Sequence, residues 1–368
     1  MRIGFEAKRA FFNRSGLGNY SRNMIAALNR FYPDNQYFLF TPPNDGELFP
    51  EGMPHQVSPQ GFAAVFPALW RYNGLGKTAE THRLDIFHGL SNELPRDIKQ
   101  AKTKSVVTVH DTIFMRFPQW YKWHDRWLYR QKTAFACEHS DAIVAVSEQT
   151  KEDLMRFFRV KETKISVIYQ PCRPAFEQTV AEEQKQILRA KLQLPSRFVL
   201  MVGNIEERKN HLNVIKAIHN HNIAIPLVIV GRNSAYALHL KKYIARQNIQ
   251  DVYFLHDIDS EVLPALYALA TIFVYPSFFE GFGIPIAESL WSKTPVITSC
   301  LPCFQETAGD AALFINPYSE EEMAQAIGSV MGNETLQRQM AEKGWAHVNK
   351  FSAKVVSEET MKLYKELW

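Results

Sequence analysis

A chain of 368 residues with 46% hydrophobic and 22% charged residues has ordinary globular composition, and its length suits two domains better than one. Only 17 glycines exclude collagen-like or Gly-rich linker sequence, and 42 Lys plus Arg against 38 Asp plus Glu leave a net charge of +4, too mild to imply nucleic-acid binding. Residues 1–170 carry net +6 and residues 171–368 net −2, so an anionic partner or surface is expected on the first half.

In chain order, the N-terminal MRIGFEAKRAFF lacks the apolar core of a signal peptide. Short continuous Val/Ile/Phe runs predict buried strands at 2–5, 36–40, 85–88, 105–108, 142–146 and 165–168. A second series follows at 198–202, 227–230, 252–254, 271–274, 296–298 and 312–314. Helical spacing falls between them at 18–31, 149–158, 210–219, 263–270, 285–293 and 320–331. Such alternation predicts an α/β chain with doubly wound parallel sheets, and this many strands divide into two sheets. The cut falls in 169–193, which contains Pro171 and Pro174 and no strand character. The expected organisation is two Rossmann-like domains, 1–170 and 171–350, facing a cleft with ligands at the carboxyl ends of the strands. A final stretch, 351–368, has helical spacing at Val355, Met361, Leu363 and Tyr364, and a packed end is expected at Trp368.

The longest uncharged run, Val262 to Phe279, is broken by Pro264 and Pro276 and reads as a helix followed by a strand, not a membrane span. The expected location is the cytoplasm, at most peripheral on the inner face of the membrane. Cysteines stand at 137, 172, 300 and 303; a chain this long needs no disulfides, and Cys300 and Cys303 read as two incidental thiols.

The segment Pro276-Ser-Phe-Phe-Glu280-Gly-Phe-Gly-Ile-Pro285-Ile-Ala-Glu288 carries the strongest signal. It predicts a strand ending at Tyr275, a turn with two glycines, and a helix whose first position suits Pro285. The N–H groups of Gly281, Phe282, Gly283 and Ile284 would point out of that helix end and suit a phosphate. Glu280 and Glu288 flank this site. A carboxylate accepts two hydroxyls at once, so the pair suits a ligand with two sugar-like ends, such as a nucleotide sugar. Spacing alone equally allows a strand–turn–helix with solvated glutamates. Arg208 and Lys209 follow the strand at 198–202, where an Arg fork and a Lys point charge suit a diphosphate. A solvated basic turn beside Glu206 and Glu207 is the alternative.

The segment 276–288 resembles the E-x7-E motif of retaining glycosyltransferases with a GT-B fold, and the chain is similar to glycosyltransferase family 4, which includes many bacterial mannosyl- and glucosyltransferases. The likeness extends to Gly16-Leu-Gly18-Asn-Tyr, Val109-His110-Asp111, Val144-Ala-Val-Ser147-Glu, Val202-Gly203-Asn-Ile-Glu-Glu-Arg208-Lys209-Asn210, Pro295-Val-Ile and Gly309-Asp-Ala-Ala-Leu-Phe. The resemblance implies a nucleotide diphosphate sugar as donor, held mainly by the C-terminal domain; no cofactor is expected, and with two cations, a helix end and no DxD cluster after a strand, no metal is expected either. Glu288 would hold the ribose. Arg208, Lys209, Gly203 and the amides of Phe282, Gly283 and Ile284 would hold the diphosphate. Glu280 would grip the donor sugar and His110 would reach it from the N-terminal domain. Gly16 and Gly18, on a loop before the first long helix, would close against the donor phosphates. A glycan or lipid-linked acceptor would bind the N-terminal domain, and the last helix would cross back to it. The implied reaction is hexosyl transfer with retention in surface-polysaccharide assembly, the departing phosphate taking the acceptor proton. Asp111 could orient the imidazole or an acceptor hydroxyl, and Glu148 reads as a helix start. A sugar-nucleotide epimerase or a silent nucleotide-sugar-binding scaffold stays open. A dinucleotide fingerprint is absent, because Ser21 stands where its third glycine would be.

The family pattern does not explain 116–132, where Trp120, Tyr121, Trp123, Trp127 and Tyr129 alternate with Arg116, Lys122, Arg126, Arg130 and Lys132. Three readings stand: peripheral contact with an anionic membrane, a sugar-stacking acceptor platform, or a helix burying one aromatic face.

Overall fold

The computed structural model describes residues 1–44, 48 and 54–368. Two compact units account for them: Met1–Pro171 with Ala353–Trp368, and Cys172–Ser352. The first holds β1 (Arg2–Glu6), β2 (Gln36–Phe40), β3 (His55–Val57), β4 (Ile86–Gly89), β5 (Lys104–Val109), β6 (Ala142–Ala145) and β7 (Ile165–Val167). They form a seven-stranded parallel sheet in the order β3-β2-β1-β4-β5-β6-β7. The second unit holds β8 (Val199–Val202), β9 (Leu227–Val230), β10 (Val252–Leu255), β11 (Ile272–Tyr275), β12 (Val296–Ser299) and β13 (Ala312–Ile315). They form a six-stranded parallel sheet in the order β10-β9-β8-β11-β12-β13.

All twelve expected strands are present, with ends moved by no more than one residue. The thirteenth, β3, escaped because it is a three-residue edge strand, HQV, that buries little. The others are legible for a simple reason: β1, β4, β9, β11 and β12 are buried on both faces, so their positions are apolar or small apart from Arg2 and Glu6 at the ends of β1 and His88 in β4. Both sheets reverse strand order beside their first strands, β1 and β8, the place where α/β sheets bind ligands.

In the first unit the helix Gly16–Phe31 lays Tyr20, Met24, Ile25 and Leu28 on the sheet. Gly16 and Gly18 lie in the first turn of this helix, not on a loop before it. Gly18 is required there: a Cβ would stand 1.8 Å from the Asn13 carbonyl oxygen. The last helix, Ala353–Leu367, buries Val356, Thr360, Met361 and Tyr364 in the core around Met24. Trp368, expected to be packed, is 73% exposed, because its helix ends at Leu367 after the last buried turn.

Candidate active site

The loop after β8 ends in a short 3-10 turn, Glu207–Lys209, closed by Asn210 in a left-handed conformation (φ 62°). The Asn210 side chain donates to the carbonyls of Pro276 (3.2 Å) and Pro317 (2.7 Å), and the Phe278 N–H donates to the Arg208 carbonyl (3.0 Å). These bonds stitch the loop after β8 to the loops after β11, its neighbour in the sheet, and β13.

On this stitching Glu280 meets both cations. Its Oε1 accepts from Lys209 Nζ (2.5 Å), from the Tyr275 hydroxyl (3.1 Å) and from Arg208. Arg208 also donates to the Phe279 carbonyl (2.9 Å) and faces Glu206 (3.4 Å). Lys209 Nζ further contacts the Tyr275 hydroxyl and lies 4.6 Å from that ring's centre. Burial raises the pKa of Glu280, but Arg208 and then Lys209 outweigh it and hold the carboxyl down at about 2. Burial pulls Lys209 below its usual value, with Glu280 opposing.

The helix Ile284–Trp291 starts beside this cluster, with Pro285 as its second residue, whose missing N–H costs nothing there. Gly283 caps it at φ 111°, and a Cβ would stand 3.0 Å from the Phe304 ring, so only glycine fits. The Phe282 side chain is buried edge-on against Phe351 (5.1 Å), leaving its backbone as the part a ligand can use. Cys303 Sγ donates to the Glu280 carbonyl (3.3 Å), a structural use for one thiol of the pair. Gly203, directly after β8, lies against Lys209.

Glu288 is built differently. It sits on the helix, 8% exposed, and accepts from the Tyr267 hydroxyl (3.0 Å). Burial pushes its pKa up to about 7, against the pull of Arg173 and the Tyr267 bond.

In the first unit His110 follows β5 and is buried. Its Nε2 lies 2.8 Å from the Leu90 carbonyl, which can only accept, so Nε2 carries the proton and Nδ1 accepts from Gln170 (3.0 Å). Burial lowers its pKa to about 4, leaving the ring neutral. Asp111 Oδ1 accepts from the Ile113 N–H (3.1 Å), and Leu90 and Gln170 hold the imidazole. Tyr20 stands edge-on to the ring (4.5 Å) and its hydroxyl meets Thr108 (3.0 Å). Thr108 meets His88 Nε2 (2.8 Å), and His88 Nδ1 meets Tyr364 of the last helix (2.6 Å). Ser147 caps the helix that begins at Glu148, through a 3.1 Å bond from the Thr150 N–H.

Two family models match, one described as Glycosyltransferase Family 4 over residues 14–175 and one as Glycosyl transferases group 1 over residues 183–346. The chain belongs to glycosyltransferase family 4. It is similar to the O-antigen chain mannosyltransferase B of Escherichia coli, 27% identical over 77% of this chain and 74% of that one. It is also similar to the O-antigen chain mannosyltransferase RfbU of Salmonella typhimurium, 31% identical over 61% of this chain and 60% of that one. Its GT-B fold matches a sucrose-phosphate synthase from Thermosynechococcus elongatus (TM-score 0.80, 19% identity, 100% and 99% of the two chains). Alr3699/HepE of Anabaena, solved in complex with UDP-glucose, matches at TM-score 0.79 and 16% identity over 100% of both chains.

Within this family 4 chain the structure brings Arg208, Lys209 and Glu280 together beside Gly283, with Glu288 on the adjoining helix. Sequence reading missed Tyr275, Tyr267 and Gln170. Tyr275 ends a strand, a position that could have been flagged; the other two are visible only from their contacts. The stretch 116–132 divides. Trp120 stacks on Phe117 (4.3 Å), Arg116 grips Asp153 and Lys132 grips Glu93 (2.7 Å). Trp123 and Trp127 are 79% and 60% exposed, so the expectation of one buried aromatic face fails for them. The helix Trp123–His139 buries its second half only, at Thr133, Phe135, Ala136 and Cys137.

Proposed function

We propose that this chain transfers a hexose, mannose- or glucose-type, with retention, from a nucleotide diphosphate sugar to a glycan or lipid-linked acceptor in surface-polysaccharide assembly. The observation that carries this reading is the convergence of Arg208 and Lys209 on Glu280 beside the start of the helix Ile284–Trp291. In the free protein Glu280 occupies both cations. A bound diphosphate would take them over, together with the amides of Phe282, Gly283 and Ile284, and would release the carboxylate to the donor sugar's hydroxyls. As the sugar–phosphate bond breaks, the same cations meet the growing negative charge, which is where fixed charge accelerates a reaction. Two cations and a helix end suffice for this without a metal ion, and turnover is expected to survive EDTA. Glu288 is assigned to the ribose hydroxyls and His110 to the donor sugar, as an uncharged ring whose Gln170 contact a hydroxyl would replace. The mannosyltransferase relatives support a mannose-type donor.

The test is Glu280→Gln. Transfer should be lost while nucleotide binding, read as a rise in melting temperature with GDP, UDP or ADP, persists. Donor turnover without acceptor would point to an epimerase, and nucleotide binding with no turnover of any donor to a scaffold. The anomeric configuration of the product, read by NMR, decides retention.

We further propose that the first unit touches an anionic membrane at the cytoplasmic face. On the helix Trp123–His139 the exposed residues Trp123, Trp127, Arg126 and Arg130 fall within one arc of about 100°, at 100° per residue. No helix among the described residues is long and apolar enough to cross a membrane. Co-sedimentation with phosphatidylglycerol vesicles should drop when both tryptophans become alanine; unchanged binding would exclude this face.

A further inference from the structure

We infer that the first unit holds its acceptor in two consecutive saccharide subsites, so that the acceptor is recognised as a disaccharide or longer. This rests on the glycan-acceptor reading above and adds the length that is read.

A cavity of about 280 Å³ opens at the carboxyl ends of β4 and β5, against Ser91, Asn92, His110 and Asp111, with Tyr121 and Tyr129 in its wall. A second cavity, about 180 Å³, is lined by Glu6 at the end of β1, by Arg71 and Tyr72, and by Arg96 and Phe135. Glu93 and Lys132 line both, and their 2.7 Å ion pair is the partition the two share. Each cavity is smaller than the ~300 Å³ at which sites for larger ligands begin, and suits a single pyranose ring.

The wall of each cavity also includes a residue with a buried polar atom that has no partner. Ser91 is 6% exposed and its hydroxyl is unpaired; Glu6 is 3% exposed and its Oε2 is unpaired. Such atoms are disfavoured until something hydrogen-bonds them; both are closed to solvent here, and a sugar hydroxyl reaches them after a small movement of the side chain. Glu6 Oε1 accepts from Arg71 Nε (2.7 Å), and Arg71 reaches on to Glu93 (3.3 Å). The result is a row of fixed planar groups of alternating charge, the kind that grips vicinal hydroxyls. Flat rings complete both cavities. Tyr121 and Tyr129 meet edge to face (6.0 Å) in the first. In the second, the Arg96 guanidinium lies over Phe135 (4.1 Å) and Tyr72 (5.7 Å). Rings of this kind pack against the C–H faces of sugars. The cavity that contains His110 takes the accepting sugar, and the one at Glu6 takes the sugar before it.

The full chain is titrated with methyl α-mannopyranoside, a panel of methyl α-mannobiosides and the corresponding mannotriosides, and binding is followed by saturation-transfer NMR. Affinity is expected to rise about tenfold from one sugar to two and to change little with the third. In Glu6→Gln the ratio of disaccharide to monosaccharide affinity should fall to about two. Should that variant fail to fold, Tyr72→Ala, at a half-exposed rim position, should lower the same ratio. Equal affinity for one and two sugars, or a ratio that neither variant changes, overturns the two-subsite arrangement. If no saccharide of any length binds while a nucleotide still raises the melting temperature, the glycan-acceptor reading itself fails, and this inference with it.

Discussion

At the loop after β11 a half-buried carboxylate keeps its charge; at the end of β5 a buried imidazole gives its charge up. Both groups lie beyond the carboxyl end of a central strand in a parallel sheet, and burial penalises the charged form of each. The outcome depends on neighbours. Glu280 has two cations within contact, and they overcome the penalty; His110 has a carbonyl, an amide side chain and the edge of Tyr20, and the charge of Arg9 pushes the same way as burial. One fold thus makes a charged strand end suited to a diphosphate and a neutral one suited to hydroxyls.

The largest expected effect comes from breaking the charged end. Lys209→Ala should lower turnover by about 10²–10³-fold, through loss of charge aimed at the leaving group. It should also destabilise the free protein by about 2 kcal/mol, since the half-buried Glu280 keeps its charge with one partner fewer. Steady-state kinetics and urea denaturation check the two parts.

Glu288 sharpens the comparison, because it is a carboxylate on the same loop–helix segment without a cation in contact. Its folded pKa of about 7 lies above the ordinary 4.5, so the folded state holds the proton more tightly than the unfolded chain. Its favourable contribution is therefore full below pH 4.5 and lost as pH rises through 7. Glu288→Gln should flatten this part of the profile and stabilise the free protein by up to about 3 kcal/mol at pH 8.5. The same change should weaken nucleotide binding. In the parent protein nucleotide affinity should fall as pH drops below 7, because a protonated carboxyl grips a diol less well.

The neutral end predicts the opposite slope. His110, at about 4 when folded against 6.5 ordinarily, contributes stability that is present above pH 6.5 and lost as pH falls toward 4. His110→Gln should recover about 2 kcal/mol of the loss between pH 7 and pH 5, measured by denaturation at each pH. His88, lowered to about 3 by burial and then by His110, adds to the same slope in both proteins.

The smallest effect is expected at the hydroxyl chain behind His110. Tyr364→Phe removes the His88 contact and should cost about 1 kcal/mol. If Tyr20, Thr108, His88 and Tyr364 hold the ring as a set, the same change should shift the pH profile of turnover; a merely structural bond would leave that profile in place.

The strands were legible because sheets buried on both faces favour apolar residues at most positions, and so were both ends of the loop between β11 and Glu288, where glycine and proline serve fixed backbone needs. The edge strand β3 was not, because exposure relaxes that demand. Gly16 and Gly18 were placed on a loop because glycine is the usual helix breaker; a close carbonyl, which no sequence pattern records, makes glycine the residue a helix turn needs there. The tryptophans show the same limit: Trp120, Trp123 and Trp127 are spaced as one face, yet one stacks on Phe117 and two stand in solvent, because the helix Trp123–His139 docks only by its second half.

By itself the sequence determined the alternation of strands and helices, the division into two sheets and the residue types of the proposed anion site, since each follows from periodicity or from local backbone chemistry. Tertiary structure alone decided the protonation of those residues. Whether Glu280, Glu288 and His110 are charged depends on burial and on groups brought in from distant parts of the chain, and those distances are set by packing, not by spacing.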